Sequence, residues 1–308
     1  MKRQALSSLA QRMRYRAVRT DWAFRRATAN MRLRPTFLII GASKSGTTSL
    51  HRYLLENPAV LCACRKEIRY FALKYHRGER WYRAQFPLGP TATLRRLRAS
   101  VRPVVGEASP IYLFHPYVPA RVHAFNPDMK LIAVLRDPVD RAHSHYHMQM
   151  RWGWETLSFE EALDREDARL DGELAKLHDN PLDYPELVSR MSYVARGRYA
   201  EQLERWFELF PREQMLLLTS DELFSDPART TSRVTRFLEI PEHHATSYAR
   251  LAGGGGVFDY SPMNPATRER LARAFEPHNR RLEELLGREL HWTRPAAAAR
   301  EPAQLQAP

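Results

Sequence analysis

Cysteine is almost absent from this chain of 308 residues, which contains only Cys62 and Cys64. The two form a C-x-C pair that is too close in sequence for an ordinary disulfide bridge. No second pair of cysteines is present to complete a zinc site. A disulfide framework is therefore excluded.

Long apolar segments are also lacking. The longest apolar run with strand character covers residues 37–40, whereas about 18 consecutive apolar residues are needed to cross a bilayer. The N-terminus has no apolar core of the kind found in signal peptides. The sequence therefore predicts a soluble, cytoplasmic protein.

Lysine is scarce, since only six of the 48 basic residues are lysines, a bias typical of GC-rich bacterial genomes. The net charge is +13, but residues 1–34 hold ten basic residues and one acidic residue. The rest of the chain holds 38 basic and 34 acidic residues, a net charge of +4. The basicity thus belongs mostly to an N-terminal arm. Such an arm either makes a peripheral contact with the anionic inner face of the membrane or is solvated and loosely docked.

The chain divides into this basic arm (1–34), one domain (35–292) and an Ala/Pro-rich tail (293–308). Apolar runs and helical spacing alternate through the domain, which predicts an α/β fold with three layers, a central, mainly parallel sheet flanked by helices. Ligands of such folds bind at the carboxyl ends of the strands. Strands are predicted at 36–40, 60–64, 104–107, 130–135 and 215–219, and helices at 47–56, 198–210 and 266–286, the last with a break near Pro277. A further helix is predicted to begin after 130–135, with Asp137 as its N-cap and Pro138 at its first position.

Residues 41–49, G-A-S-K-S-G-T-T-S, follow a predicted strand and open a predicted helix. In this arrangement backbone N–H groups and the helix dipole bind an anionic phosphate or sulfate. The two glycines fit the triphosphatase pattern G-x-x-x-x-G-K-[ST], but Thr47 occupies the position of its lysine, and Lys44 lies three residues earlier. A lysine inside the loop can lie over the bond between two anionic groups. The sequence therefore predicts a P-loop-like site with a different ligand from a magnesium-bound triphosphate.

The string F-L-I-I-G-A-S-K-S-G-T-T-S-L resembles the phosphosulfate loop of sulfotransferases that use 3′-phosphoadenosine 5′-phosphosulfate (PAPS). It is closer to the heparan-sulfate and bacterial carbohydrate branch than to the cytosolic phenol and steroid branch. The resemblance covers residues 35–292 and continues in four ordered blocks: K-E-I-R-Y-F from Lys66, G-E-A-S-P-I-Y from Gly106, L-R-D-P-V-D-R-A-H-S-H-Y from Leu135 and G-R-Y-A-E-Q-L-E-R-W from Gly197.

The resemblance implies that amides of residues 45–48 and the hydroxyls of Thr47 and Thr48 bind the 5′-phosphate of the donor. Lys44 would stabilise the leaving phosphate, and Arg136 with Ser144 would bind the 3′-phosphate, a role that suits a planar guanidinium and a hydroxyl. No metal is required, because a sulfuryl group carries less charge than a terminal phosphoryl group. The predicted donor site comprises Lys44, Ser45, Gly46, Thr47, Thr48, Ser49, Arg136 and Ser144.

Glu67 is the predicted general base, because the block from Lys66 resembles the region that holds the catalytic glutamate of the heparan-type branch. A partly buried carboxylate can reach the pKa near the operating pH that a base needs. Lys66 would oppose that shift, but alternation along an extended segment would turn the two side chains to opposite faces. A solvated Lys66–Glu67 pair is the other interpretation. Three histidines remain weaker candidates for the base: His51, His115 and His145.

Two departures limit the resemblance. Some members of the heparan branch have a lysine where this chain has Ala108. The late donor-binding loop corresponds at best to residues 253–260, whose four glycines fit flexible gating or an unstructured loop.

His143 and His147 have the spacing of a helical metal site, but no third ligand follows. Trp152 and Trp154 either stack on sugar rings of an acceptor or anchor a loop.

The sequence thus predicts sulfuryl transfer from PAPS to a hydroxyl, or less favourably an amine, of a carbohydrate-containing or lipid-linked acceptor. A nucleotide kinase or other triphosphatase is an alternative that Thr47 disfavours. A non-catalytic adaptor for membranes or nucleic acid is another, which the near-neutral charge of residues 35–308 disfavours. No nucleic-acid partner is expected, and the sequence leaves the oligomeric state open.

Overall fold

The structure is a computed structural model that describes residues 21–99, 102–251 and 261–292. Within these ranges, five strands form one sheet in which every pairing is parallel, and they follow the order β2-β3-β1-β4-β5. The predicted α/β class with a central parallel sheet is confirmed. The strands are β1 (Phe37–Gly41), β2 (Val60–Cys62), β3 (Val104–Ala108), β4 (Lys130–Leu135) and β5 (Met215–Thr219).

Both faces of the sheet are covered, which accounts for the three layers. All five residues of β1 are buried, and successive side chains point to opposite faces. Leu38 and Ile40 belong to one apolar core, whereas Phe37 and Ile39 belong to the other. A strand buried on both faces is typical of a parallel sheet and reads in sequence as a continuous apolar run.

Helices connect the strands and form the outer layers. Besides a helical segment at 21–27, they are α1 (Thr47–Leu55), α2 (Tyr70–Leu73), α3 (Gly78–Arg83), α4 (Gly89–Ala99), α5 (Val118–Phe125), α6 (Pro138–Arg151), α7 (Phe159–Asp164), α8 (Glu166–Leu170), α9 (Glu173–Asp179), α10 (Glu186–Met191), α11 (Tyr199–Phe207), α12 (Ser220–Ser225), α13 (Pro227–Phe237) and α14 (Pro265–Leu286). None of the helices in the described ranges is long and apolar enough to cross a membrane.

The predicted break near Pro277 is wrong, because α14 continues through it. Proline removes one hydrogen bond to the carbonyl four residues earlier, here that of Arg273. Both residues are exposed, so water can hydrate that carbonyl.

The end of the N-terminal arm is packed on the domain. Arg32 is buried and donates a hydrogen bond to the Phe86 carbonyl oxygen at 2.7 Å. Trp22 packs edge-on against Trp81, with 6.1 Å between ring centroids. Part of residues 21–34 is therefore docked on the domain, whereas other side chains of the segment, such as Phe24 and Met31, are exposed. Residues 1–20 of the arm and the predicted tail at 293–308 lie outside the described ranges.

Candidate active site

A cleft of about 720 Å³ opens where the segments after β1 and β4 meet. Ser43 and Lys44 line it from the loop between β1 and α1, and Arg136 from the end of β4. Ser144 of α6 and Glu67, which precedes α2, line the same space. The fold thus brings the predicted catalytic and 3′-phosphate residues, distant in sequence, to one cleft.

The loop between β1 and α1 has the backbone of an anion-binding turn. Gly46 precedes α1 with φ of 97°, a conformation that favours glycine, and an added Cβ would lie 2.9 Å from a ring carbon of Phe224. Lys44 also has a positive φ, of 73°. Thr47 and Thr48 occupy the first turn of α1 and line the cleft, together with Gly46. The start of the helix is therefore presented to the cleft.

Two predicted donor-binding residues have other partners. The Ser45 amide donates to the Ala42 carbonyl oxygen at 3.3 Å, and its side chain is buried. Ser49 accepts a hydrogen bond from the Leu251 amide at 2.8 Å through its Oγ. Neither residue is among the described residues that line the cleft. These bonds support the loop and Leu251, and contact of the two residues with the donor stays a prediction.

Arg136 is directed to the phosphate loop. Its Nη1 donates to the Lys44 carbonyl oxygen at 3.3 Å, while the nearby acid Asp140 is paired with Arg268 at 2.7 Å. Helix α6 begins as the sequence predicts, with Pro138 in its first turn and Oδ1 of Asp137 accepting from the amide of residue 139 at 2.8 Å. This cap fixes the start of the helix that carries Ser144 into the cleft.

Lys44 lies among cations. Burial, with repulsion from Arg151, Arg136 and Arg141, lowers the pKa of the Lys44 ammonium to about 8. Such a group gains by contact with an anion, because desolvation and repulsion both disfavour its charged form. The arrangement suits an anionic ligand at the centre of the loop.

Glu67 is paired with two cations and does not have the raised pKa that the sequence predicts for a base. Its Oε1 accepts from Lys66 Nζ at 3.1 Å, and its Oε2 accepts from Arg69 Nε at 3.1 Å. The segment is not extended, since Glu67 and Arg69 have φ of 58° and 56°, so the expectation of opposite faces is wrong. Burial alone would raise the pKa of the Glu67 carboxyl, but Lys66 and Arg69 outweigh burial and lower it. Glu67 is thus held ionised rather than tuned toward neutral pH.

The candidate histidines are also weak bases. Burial and repulsion from nearby cations lower the pKa of His51 to about 4 and that of His115 to about 3. His145 lines the cleft, but burial and Arg141 lower its pKa well below the ordinary value, and its Nε2 lies 2.8 Å from Gln149 Nε2. All three are neutral and weakly basic at neutral pH.

The end of α6 and helix α10 form one side of the cleft. The sequence analysis indicated its tryptophans but not the residues of α10. Trp152 and Trp154 lie 4.7 Å apart between ring centroids and are 47% and 41% exposed. The Arg190 guanidinium lies over the Trp154 ring at 3.7 Å and bonds to Glu186. These tryptophans face the cleft, which favours their interpretation as acceptor contacts over loop anchors.

The cleft is strongly basic although the domain is nearly neutral. Among the residues that the structure describes, seven basic side chains line it against two acidic ones, an arrangement that attracts anions. They are Lys44, Lys66, Arg69, Arg136, Arg190, Arg196 and Arg250 against Glu67 and Glu186.

His143 and His147 bond to each other, with 2.9 Å between their Nε2 atoms. In the described part of the chain, no group of three or more His, Cys, Asp or Glu residues is arranged to hold a metal ion. The glycine-rich loop at 253–260 lies outside the described residues.

A parallel sheet between two layers of helices, with a phosphate loop at the carboxyl end of its first strand, defines a P-loop-like fold. Residues 34–252 match the sulfotransferase domain family. Because this match covers more than half of the chain, the chain belongs to the sulfotransferase family of enzymes, as the sequence blocks predicted.

Individual relatives agree with this assignment. The membrane-associated sulfotransferase kil1 of Dictyostelium discoideum is 26% identical over 323 residues, which cover 84% of this chain and 66% of that protein. Heparan sulfate glucosamine 3-O-sulfotransferase 6 of Homo sapiens is 30% identical over 279 residues, which cover 84% of this chain and 73% of that protein. A crystal structure of a sulfotransferase from Alicyclobacillus acidocaldarius is 32% identical, with a TM-score of 0.61, over 84% of this chain and 98% of that chain. The chain thus spans just under two thirds of the length of the Dictyostelium protein.

Proposed function

We propose that the chain transfers a sulfuryl group from PAPS to a hydroxyl of a carbohydrate-containing or lipid-linked acceptor, an amine being the less favoured nucleophile. The observation that carries this proposal is the position of Lys44, inside the phosphate loop and in one cleft with Arg136, Ser144 and Glu67. A magnesium-bound triphosphate needs its lysine after the second glycine, where this chain has Thr47. The kinase alternative therefore lacks its central residue.

The donor would lie along the loop with its phosphosulfate group toward Lys44. Thr47 and Thr48 offer hydroxyls, and the amides at the start of α1 offer donors, to the 5′-phosphate. Arg136 and Ser144 would bind the 3′-phosphate, which distinguishes PAPS from ordinary adenine nucleotides. Positioning and fixed positive charge supply most of the rate in such transfers.

In the transfer step, the acceptor oxygen attacks the sulfur in line with the bridging oxygen. The bond between sulfur and the bridging oxygen breaks, and its electron pair stays on the 5′-phosphate of the departing adenosine 3′,5′-bisphosphate. Lys44 stabilises that charge, and the proton of the acceptor hydroxyl passes to Glu67. An anionic group of the acceptor that took Lys66 and Arg69 away from Glu67 would raise the pKa of its carboxyl and make it a stronger base.

Three observations support the acceptor class. The human relative is named for a glucosamine of heparan sulfate, and exposed aromatic faces such as Trp152 and Trp154 stack well on sugar rings. The basic cleft also favours an acidic glycan.

The Dictyostelium relative is named as membrane-associated, which supports a peripheral membrane contact through the basic residues 1–34.

The test is calorimetry with adenosine 3′,5′-bisphosphate in the presence of EDTA, followed by mass spectrometry of glycan and glycolipid fractions incubated with PAPS. We expect binding without Mg²⁺ and a sulfate mass increment on one fraction. Mg²⁺-dependent binding of ATP with phosphate transfer would instead identify a kinase. Salt-sensitive binding of nucleic acid that survives deletion of residues 1–34, without sulfation, would identify an adaptor.

A further inference from the structure

A second, much smaller cavity lies behind the phosphate loop. Its volume is about 10 Å³, and Ser43 and Arg196 line both this cavity and the cleft. Such a volume is about that of one water molecule, so sulfate and phosphate are too large for it, whereas a chloride ion fits once the lining side chains move apart by a few tenths of an ångström. The remaining lining residues are Ala42, Pro110, Leu113, Phe114, Arg141 and Gln202.

Two arginines with unused hydrogen-bond donors line this cavity. Arg141 is fully buried and donates through Nη2 to the Tyr193 carbonyl oxygen, but its Nε and Nη1 are buried without a partner. Arg196 is 5% exposed and donates through Nη2 to the Ser189 carbonyl oxygen at 3.1 Å, while its Nε has no partner at hydrogen-bond geometry, although the buried Tyr184 side chain interacts with the same guanidinium. Buried N–H groups of native proteins are nearly always paired, and these three belong to side chains that line one cavity, which points to a bound acceptor there.

The charge around the cavity is also unbalanced. Neither guanidinium forms an ion pair within the described ranges. The charge of Glu166 acts to raise the pKa of both guanidiniums, against the stronger effect of burial. Its carboxylate, however, accepts hydrogen bonds from the amides of Val194 at 2.7 Å and Ala195 at 2.9 Å. Burial, with repulsion from Arg196 and Arg136, lowers the pKa of the Arg141 guanidinium to about 10.

We propose that this cavity binds a single halide ion, chloride under physiological conditions, between Arg141 and Arg196. A water molecule would satisfy the free N–H groups, but it would not offset two buried positive charges. The ion would hold the Ala42–Ser43 end of the phosphate loop against α6 and the turn Ala195–Gly197. The inference rests on the cavity and its arginines and is independent of the acceptor.

Bromide provides the direct test, because its anomalous scattering distinguishes it from water. Crystals of the full chain grown in bromide should show one anomalous peak within hydrogen-bonding distance of both guanidiniums. Absence of that peak, or density there without anomalous signal, would overturn the proposal.

Thermal unfolding gives a second readout. At constant ionic strength, replacing a bulky organic sulfonate by chloride should raise the melting temperature by roughly 5 °C when chloride is one hundred times its dissociation constant. Arg196→Gln should abolish the chloride dependence. The control is Arg205→Gln, since Arg205 also has a buried, unpartnered Nε but does not line the cavity. Equal melting temperatures in the two salts, or a dependence that persists in Arg196→Gln, would contradict the proposal.

Discussion

Replacement of Lys44 by methionine tests the proposed mechanism most directly. Methionine keeps much of the aliphatic volume and removes the charge. A unit charge about 4 Å from the developing negative charge stabilises it by about 4 kcal/mol at an effective dielectric constant of 20. At 1.36 kcal/mol for each factor of ten, kcat should fall about 10³-fold.

The fold should survive this change. The pKa of Lys44 in the native protein is about 8, below its ordinary value of 10.5, because burial and three arginines disfavour the ammonium. A pKa lowered by folding destabilises the native state at pH values below the native pKa, and this penalty disappears as the pH rises to the unfolded value. Lys44→Met should therefore melt at the same or a higher temperature than the wild type at pH 7.

The assay pairs single-turnover kinetics with PAPS and a melting curve. Lys130→Met is the matched control, because Lys130 is another part-buried lysine but bonds to Glu239 and the Phe237 carbonyl oxygen, away from the cleft. If Lys44→Met retains more than about a tenth of the wild-type rate while binding the donor normally, Lys44 does not stabilise the leaving phosphate.

Three further predictions follow from the same cleft. Glu67→Gln should lower turnover by about 10²-fold or more while calorimetry shows unchanged binding of adenosine 3′,5′-bisphosphate, since it removes only the base; unchanged turnover would assign the base elsewhere. Arg136→Met should weaken the binding of that bisphosphate by roughly 10–100-fold but change the binding of adenosine 5′-phosphate little, because only the former has the 3′-phosphate. Equal losses of affinity for both would contradict the assignment of Arg136 to the 3′-phosphate. Finally, binding of the bisphosphate at pH 8 should take up about half a proton, because the anion raises the pKa of Lys44 from about 8. Affinity should then fall as the pH rises above 8. Calorimetry in buffers of different ionisation enthalpy measures this uptake, which Lys44→Met should abolish.

Short-range patterns accounted for most of the fold. The run at 36–40 and the helical spacing after Thr47 predicted β1 and α1 to within one residue, and 215–219 matched β5 at both ends. The cap formed by Asp137 and Pro138 marked the start of α6. These signals were reliable because burial on both faces, helix periodicity and capping each depend on a few consecutive residues.

The sequence did less well where distant segments decide a contact. Alternation placed Lys66 and Glu67 on opposite faces, but the backbone there is held in the left-handed region, with the Glu67 amide bonded to the Ala108 carbonyl oxygen and the Arg69 amide to Ser109 Oγ. Ser49 bonds to Leu251, 202 residues away, a contact that no local pattern indicates.

By itself, then, the sequence determined the layered α/β architecture, the phosphate loop with its lysine inside the turn, and the family blocks, because each is written in neighbouring residues. Tertiary structure alone decided the state of Glu67, the basic lining of a cleft in a nearly neutral domain, and the meeting of Arg141 with Arg196 behind the loop. Those properties depend on which charges from distant segments come within a few ångströms of each other in a poorly solvated space. Electrostatic energy varies with distance and burial, and neither is encoded by local spacing.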